Sequence, residues 1–200
     1  MTTTWRASTV TLAALLSAAL AACSPEGPKF RSTDITGAEF GRELALNGHD
    51  RKPRTLADFR GKAVLVLFGF THCPDICPTT LADAAQALNT LGKDADRVQV
   101  LFVTVDPERD TPEVLSKYVP AFDPRFLGLH GDAVAIQKAA KEFKIFYEKR
   151  PGKAPGEYTM DHSGQSYVFD AQGRIRLLLR HDRLSQDLAV DLRTLLGGQP

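Results

Sequence analysis

The chain lacks the features that mark several large protein classes. Its 200 residues carry 25 lysines and arginines against 24 aspartates and glutamates, and the two signs are interspersed along the sequence. A nucleic-acid-binding protein would show a concentrated basic field, so we expect no nucleic-acid partner. The sequence also shows no internal repeat and no low-complexity segment. Its length therefore favours one domain, or at most two.

Cysteine is scarce, with three residues in the chain: Cys23, Cys73 and Cys77. This number excludes a scaffold held together by several disulfides. A disulfide between Cys73 and Cys77 would close a very short loop and would remove little chain entropy. The pair is therefore expected to serve chemistry more than stability. The odd cysteine, Cys23, needs a separate explanation.

A long hydrophobic run is also missing. One positive charge, Arg6, precedes an apolar stretch from about Val10 to Ala22, which is shorter than the roughly 20 residues of a membrane-spanning helix. This pattern is typical of a secretory signal. The stretch ends in Leu20-Ala21-Ala22-Cys23, which resembles a bacterial lipobox. We predict a lipoprotein-type signal peptide over residues 1–22 and lipidation of Cys23. The alternatives are an ordinary cleaved signal and an uncleaved anchor.

The segment after Cys23, "SPEGPKFRSTD", is polar and rich in Pro, Gly and Ser. It is predicted to be a lipidated tether over residues 23–34 that holds a single domain, residues 35–200, away from a membrane. The prediction places the protein on the periplasmic side of a bacterial membrane, where it contacts the membrane through its N-terminal lipid.

Two runs, "AVLVLFGF" (63–70) and "VQVLFVTV" (98–105), read as strands buried on both faces. Between them, leucines and alanines at helical spacing extend from Pro78 to Gly92, which suit the first helical position and the end of a helix. Strand, helix and strand with this pattern predict a parallel βαβ unit with a right-handed crossover.

Further helices are predicted after a Thr111 cap, over about 132–143, and over about 185–196. A hairpin with Gly173 in its turn is predicted over 166–179. The segment "YEKRPGKAPGEYTM" (147–160) is rich in Pro, Gly and Lys. It is interpreted as a long, solvated surface loop, with a docking patch formed by its lysines as the alternative.

The motif "FGFTHCPDICP" (68–78) carries the chemistry. It places two cysteines after a buried strand, at the start of a helix, as thioredoxin-type redox sites do. A helix N-terminus lowers the pKa of a nearby thiol. Three residues separate the cysteines instead of two, and Pro78 favours Cys77 as the cap. Such a pair can form a disulfide, reduce another disulfide, or bind a soft metal, above all copper(I) in an exported protein.

A copper site of this kind needs a third ligand, and an imidazole is the best candidate. Four of the five histidines are not interpreted as ligands. His49 is expected to be exposed in the turn "NGHDRKP", and His72 to lie near the site without binding the ion. His130 is expected to have a structural role in the loop "LGLHGD", and His181 to lie on the surface after the hairpin. His162 differs because it lies in "TMDHSGQSYVFD", at the entrance to a predicted strand. Thioredoxin-type enzymes usually place a cis-proline there, but this sequence has no proline between Pro155 and Pro200. From spacing alone, His162 remains open as a ligand.

Three motifs together, "FGFTHCPDICPTTL", "VDPERDTPEVLSKYV" and "DHS", resemble the Sco (SenC) family of copper chaperones, which serve assembly of the binuclear copper centre of cytochrome c oxidase. The resemblance covers nearly the whole folded part. It implies an α/β fold, a thioredoxin-like three-layer sandwich whose central mixed sheet is flanked by helices. It also implies that Cys73, Cys77 and His162 bind a copper ion, as Cu(I) or Cu(II).

The resemblance further implies partners: the copper-bearing subunit of the oxidase, and a periplasmic copper donor or thiol reductase.

Asp161 is a candidate for orienting the His162 ring, with a solvated charge as the alternative. Asp110, Thr111 and Pro112 are explained as helix-capping residues and are left out of the site. The main rival function is a thiol–disulfide oxidoreductase that reduces the oxidase's copper-site cysteines with Cys73 and Cys77. A peroxidase of the peroxiredoxin type is a third alternative. Family members often carry a transmembrane helix, so the lipobox-like start is a departure.

Overall fold

The computed structural model describes residues 27–197. The predicted signal peptide over 1–22 and the predicted lipidation site Cys23 lie outside the described residues. Ten strands and four α-helices follow one another within the described part of the chain. In order they are β1 (Thr33–Asp34), β2 (Ala45–Gly48), β3 (Pro53–Thr55), β4 (Ala63–Gly69), α1 (Ile76–Leu91), β5 (Val98–Thr104), α2 (Pro112–Tyr118), β6 (Leu127–His130), α3 (Ala133–Glu142), β7 (Tyr147–Pro151), β8 (Tyr158–His162), β9 (Gln165–Phe169), β10 (Ile175–Arg180) and α4 (Leu184–Leu195).

Eight of these strands form one mixed sheet in the order β1-β10-β9-β4-β5-β6-β2-β3. The central strands β4, β5 and β6 are parallel, and the other pairs are antiparallel. Every residue of β4 is buried, because helices cover both faces of the sheet. The predicted parallel unit β4-α1-β5 is confirmed, in the register Ala63 to Val98 and Gly69 to Thr104.

The helices form two outer layers. Successive residues of β4 point to opposite faces, and Gly69 faces Cys77 of α1 while Phe68 packs on Phe143, just after α3. α1 and α3 therefore lie on opposite sides of the sheet, and α4 packs beside α1. This arrangement confirms the predicted three-layer α/β fold.

The hairpin β9–β10 is also confirmed, with the N–H of Gly173 donating to the carbonyl of Asp170 at 2.8 Å. Gly173 adopts a φ of 75°, which glycine tolerates without strain.

Two predicted loops turned out to be strands. "LGLH" forms β6 beside β5, and most of the predicted loop over 147–160 forms the separate hairpin β7–β8. In that hairpin Glu148 pairs with Asp161, and the N–H of Gly152 donates to the carbonyl of Glu157 at 2.7 Å. The prolines and glycines that suggested a loop belong to the connecting turn and its edges, where they remove no bond between the strands.

Contacts with the domain begin before Ile35. The backbone N–H groups of Arg31 and Ser32 donate to the buried carboxylate of Asp191 on α4, at 2.7 and 2.9 Å, and β1 pairs with β10. The last residues of the predicted tether are therefore attached to the sheet and to α4. Within residues 27–197, no helix is long and apolar enough to cross a bilayer.

Candidate metal centre

The two cysteines lie where β4 ends and α1 begins. The N–H of Cys73 donates to the carbonyl of Phe70 at 3.2 Å, which turns the chain back over the helix start. α1 begins at Ile76 with Asp75 as the cap, so the prediction of Cys77 as the cap residue was wrong. Pro78 does not delay the helix, because an N–H in the first turn has no intrahelical acceptor to lose. Cys77 therefore lies within the first turn.

A glycine lets Cys77 approach the sheet. A Cβ atom at Gly69 would lie 2.7 Å from Sγ of Cys77 and 2.9 Å from Cε2 of Phe102, closer than such atoms pack. The absence of a side chain at the end of β4 therefore makes room for the Cys77 thiol. Cys77 is 4% exposed, while Cys73 is half-buried on the loop, and both thiols are free.

Burial raises the pKa of the Cys77 thiol, and the neighbouring Cys73 raises it further, while a hydrogen bond from the backbone of Phe70 opposes the shift. The expectation of a thiol acidified by the helix N-terminus is wrong for Cys77, because desolvation outweighs the helix end. A neutral buried thiol is a weak nucleophile. A cation that binds Sγ must first displace its proton.

His162 brings a nitrogen to the same place. It is the last residue of β8, and its Nε2 lies 3.5 Å from Sγ of Cys77. Its Nδ1 lies 3.0 Å from the carbonyl oxygen of Ser163, which can only accept, so Nδ1 carries the proton and Nε2 presents its lone pair to the thiol. Burial lowers the pKa of His162, which favours this neutral imidazole. The ring stands edge-on to Phe70, with centroids 5.8 Å apart.

One ligand atom from each of Cys73, Cys77 and His162 lies within 4.8 Å of the other two. Bonds of 2.0 to 2.3 Å to a three-coordinate ion would separate such atoms by about 3.5 to 4 Å. The cluster therefore needs only a small contraction to hold an ion. Two sulfurs and one imidazole nitrogen are a soft donor set, which suits copper or zinc and not magnesium or calcium.

Comparison with known proteins identifies the family. The SCO1/SenC family model matches residues 32–197. This chain belongs to the SCO1/SenC family.

Curated relatives agree. The mitochondrial protein SCO2 homolog of Mus musculus is 37% identical over 153 residues, which are 76% of this chain and 60% of that protein. The SCO2-like protein of Rickettsia felis is 40% identical over 154 residues, which are 76% of this chain and 75% of that protein. The chain spans about half to three-fifths of the length of its vertebrate relatives.

A solved structure of ScoI from Bradyrhizobium japonicum with copper bound is 39% identical to this chain. It superimposes with a TM-score of 0.71 over 79% of this chain and 99% of its own. The fold of this SCO1/SenC chain is therefore the thioredoxin-like fold of its family.

Asp161 does not orient the His162 ring in this family member. Neighbouring residues of β8 point to opposite sides, so His162 faces the domain and Asp161 faces solvent. The Asp161 carboxylate accepts from Nε of Arg150 at 2.9 Å. The group within hydrogen-bond distance of Nδ1 is instead the Ser163 carbonyl. The solvated-charge reading of Asp161 describes the structure better.

The other four histidines lie outside the cluster. His72 is exposed, with its Nδ1 3.1 Å from the Thr71 hydroxyl. His49 is not the exposed turn residue that was predicted, because it is half-buried and its Nδ1 accepts from the N–H of Gly128 at 3.0 Å. His130 is half-buried in β6, and His181 is exposed beside Gly164. Among the five histidines, His162 alone lies against the two thiols.

Sequence reasoning missed a supporting residue at this centre. Asp110 does not cap α2; Thr111 does, by accepting from the N–H of Val114. The buried Asp110 carboxylate instead accepts from the backbone N–H of Thr71 at 3.0 Å and from its hydroxyl at 2.6 Å. The sequence did offer a signal for this role: Asp110 follows the C-terminal end of β5, and the ligand-binding sites of open α/β sheets lie at that end of the strands.

Proposed function

We propose that this chain is a copper metallochaperone that carries Cu(I), and also Cu(II), on Cys73, Cys77 and His162. The observation that carries the proposal is the convergence of two free thiols and one neutral imidazole within 4.8 Å. The copper bound to the related Bradyrhizobium japonicum ScoI supports copper as the cargo. The soft donor set favours Cu(I).

The unequal exposure of the ligands suggests how copper is passed on. Cys73 is half-buried on the loop, while Cys77 is buried under Gly69. An acceptor thiol can therefore reach the ion from the side of Cys73. Cys77 is then the last sulfur to release the ion. Oxidation of the pair to a disulfide consumes both thiols and abolishes the site, so copper loading requires a reduced protein.

The client we propose is the copper-bearing subunit of cytochrome c oxidase, as the family resemblance implies. A periplasmic copper donor would load the site, and a thiol reductase would keep the pair reduced. We further propose that lipidation of Cys23 holds the domain on the periplasmic side of a bacterial membrane. The lipobox-like sequence before Cys23 supports this location.

A thiol–disulfide oxidoreductase is the second candidate. It is favoured by the half-buried Cys73, whose Sγ lies 3.5 Å from the N–H of Cys77 at the helix start. Cys73 would attack a client disulfide, Cys77 would resolve the mixed disulfide, and two electrons and two protons would pass to the client thiols. The raised pKa of Cys77 opposes this role, because the resolving thiol must ionise.

The test is a Cu(I) competition titration of the full chain in detergent, carried out in a Cys23→Ser background so that no third thiol binds copper. We expect about one equivalent for this parent, loss of tight binding in Cys73→Ala, and at least about tenfold weaker binding in His162→Ala. His72→Ala is the matched control and should bind like the parent. Binding that is unchanged in Cys73→Ala, Cys77→Ala and His162→Ala would falsify the proposal. Turnover of a client disulfide by the His162→Ala variant at the parent rate would favour the oxidoreductase.

A further inference from the structure

The loop that connects β5 to α2, residues 105–111, is here called the bridging loop. Of its three carboxylates, two are buried: Asp106 is 2% exposed and Asp110 is 1% exposed. Buried carboxylates are costly unless hydrogen bonds satisfy them. Their partners lie on the two segments of chain that carry the proposed copper ligands.

Asp110 holds the cysteine segment. Its carboxylate accepts from the N–H and the hydroxyl of Thr71, at 3.0 and 2.6 Å, and from the hydroxyl of Thr104 at the end of β5, at 2.6 Å. Thr71 lies two residues before Cys73. The Asp110 carboxylate therefore connects the start of the cysteine loop to the end of β5.

Asp106 holds the histidine segment. Its Oδ1 accepts from the hydroxyl of Tyr158 at 2.8 Å, and its Oδ2 accepts from Nε of Arg109 at 2.5 Å. Nη1 of Arg109 then donates to the backbone carbonyl of Tyr158 at 3.0 Å. Tyr158 is the first residue of β8, the strand that ends in His162. Both the side chain and the backbone of that strand are thus bound to the bridging loop.

Stacking reinforces these bonds. The guanidinium carbon of Arg109 lies 3.7 Å from the ring centroid of Tyr158 and 5.9 Å from that of Phe70. The Phe70 ring in turn contacts the His162 ring edge-on. The hydroxyl of Tyr158, like that of any tyrosine, is a donor at neutral pH. Burial and the bond to Asp106 raise its pKa further, to about 12.

The strand β8 can transmit the position of Tyr158 to His162. Residues 158, 160 and 162 share one face of an extended strand, and Met160 between them is 8% exposed. The opposite-facing residues, Thr159 and Asp161, are exposed. Tyr158 therefore holds the strand by the same face from which the His162 imidazole projects.

We propose that the bridging loop positions the two halves of the metal site relative to each other, with Asp110 holding the cysteine loop and the Asp106–Arg109–Tyr158 cluster holding the histidine hairpin. These are positioning residues, because none of them belongs to the ligand cluster. The inference rests on the proposed copper function. It deepens that function by naming what keeps His162 within reach of the thiols.

The test uses the full chain in the Cys23→Ser background. Arg109→Lys keeps the charge but removes the planar group that binds Asp106 and stacks on Tyr158. Tyr158→Phe, a gentler variant, removes only the hydroxyl. Arg125→Lys is the matched control. Arg125 also binds a buried carboxylate, that of Asp123, through side-chain bonds of 2.8 and 2.6 Å, but it precedes β6 at the opposite end of the parallel strands.

The first measurement needs no copper. Backbone ¹⁵N relaxation of the apo protein should show the hairpin over 147–162 as ordered as the core in the parent, with order parameters near 0.85, and clearly less ordered in Arg109→Lys. The second measurement is Cu(I) affinity, which should fall about tenfold in Arg109→Lys, the lower end of the effect of losing an orienting partner. Tyr158→Phe should show smaller changes of the same sign, and Arg125→Lys none.

The third measurement combines Arg109→Lys with His162→Ala. If the bridging loop acts through His162, the double variant binds copper no more weakly than His162→Ala alone. Additive losses, or an unchanged hairpin and unchanged affinity in both Arg109→Lys and Tyr158→Phe, would overturn the inference. Parent-like affinity in His162→Ala would instead overturn the role of His162 in the proposed function, and the relaxation data would still report whether the loop holds the hairpin.

Discussion

Nε2 of His162 lies 3.5 Å from Sγ of Cys77, although 85 residues separate the two in the sequence. His162 is the last residue of the hairpin strand β8, and Cys77 lies in the first turn of α1, which packs on the central sheet. Because the two segments are far apart in the sequence, an ion bound by both would connect the hairpin to the helix. The site therefore depends on how the hairpin is held, and its chemistry depends on how deeply Cys77 is buried.

Copper affinity should rise with pH. Burial raises the pKa of Cys77, so the apo site keeps this proton at neutral and mildly alkaline pH, and copper must displace it. This thiol alone contributes about one log unit of affinity per pH unit. Burial lowers the pKa of His162, so its imidazole is already neutral at pH 7 and adds no slope above that pH. Cu(I) competition titrations across the neutral range check this, and a pH-independent affinity would contradict it.

Substitution of Gly69 should disturb both the core and the metal site. In Gly69→Ala the new methyl group would meet Cys77 and Phe102 at less than 3 Å, and such overpacking typically costs about 1 to 3 kcal/mol. Urea unfolding measures the loss, and the displaced Cys77 should also weaken Cu(I) binding. Gly27→Ala, at a position with no atom within 4 Å of the added carbon, is the control and should match the parent. A stable Gly69→Ala protein with parent affinity would show that α1 can move away freely.

Substitution of Asp191 should detach the segment before β1 from α4. This carboxylate is 0% exposed and accepts from the backbone N–H groups of Arg31 and Ser32. Asp191→Ala leaves these donors unpaired and should lower the free energy of unfolding by about 1.5 to 3 kcal/mol. Hydrogen exchange at Arg31 and Ser32 should become fast. Asp182→Ala removes an exposed partner of Arg180 and should change stability by less than about 1 kcal/mol. Equal effects of the two substitutions would refute the assignment.

Lipidation of Cys23 predicts a specific pattern of fractionation. The parent should be recovered with the membrane, and mass spectrometry should find acyl chains on the N-terminal residue of a chain that begins at Cys23. Cys23→Ser should abolish the modification and release the protein, because a lipid anchor depends on the buried acyl chains. Cys73→Ser, which keeps the lipobox intact, should stay in the membrane fraction. A Cys23→Ser protein that also stays there would point to the apolar stretch itself as the anchor.

The local signals of the sequence predicted the central βαβ unit well, and the family resemblance supplied the three-layer arrangement around it. Strands β4 and β5 are continuous apolar runs, and α1 shows helical spacing with a glycine at its end. The hairpin β7–β8 was misread as a loop, since its charged and proline-containing strands lie outside the central sheet and need little hydrophobic signal. The start of α1 was misplaced by two residues, since Pro78 is equally compatible with several positions in a first helical turn.

The sequence also determined the chemistry of the site. It supplies two thiols with three residues between them, one candidate imidazole after an acidic residue, and a family pattern that joins them. Only the tertiary structure decided the rest: that Gly69 admits Cys77 to a buried place, that desolvation outweighs the helix end there, and that Ser163 and not Asp161 lies against Nδ1 of His162. Burial, hydrogen-bond partners and the distance between remote segments arise from packing, and no single stretch of sequence encodes them.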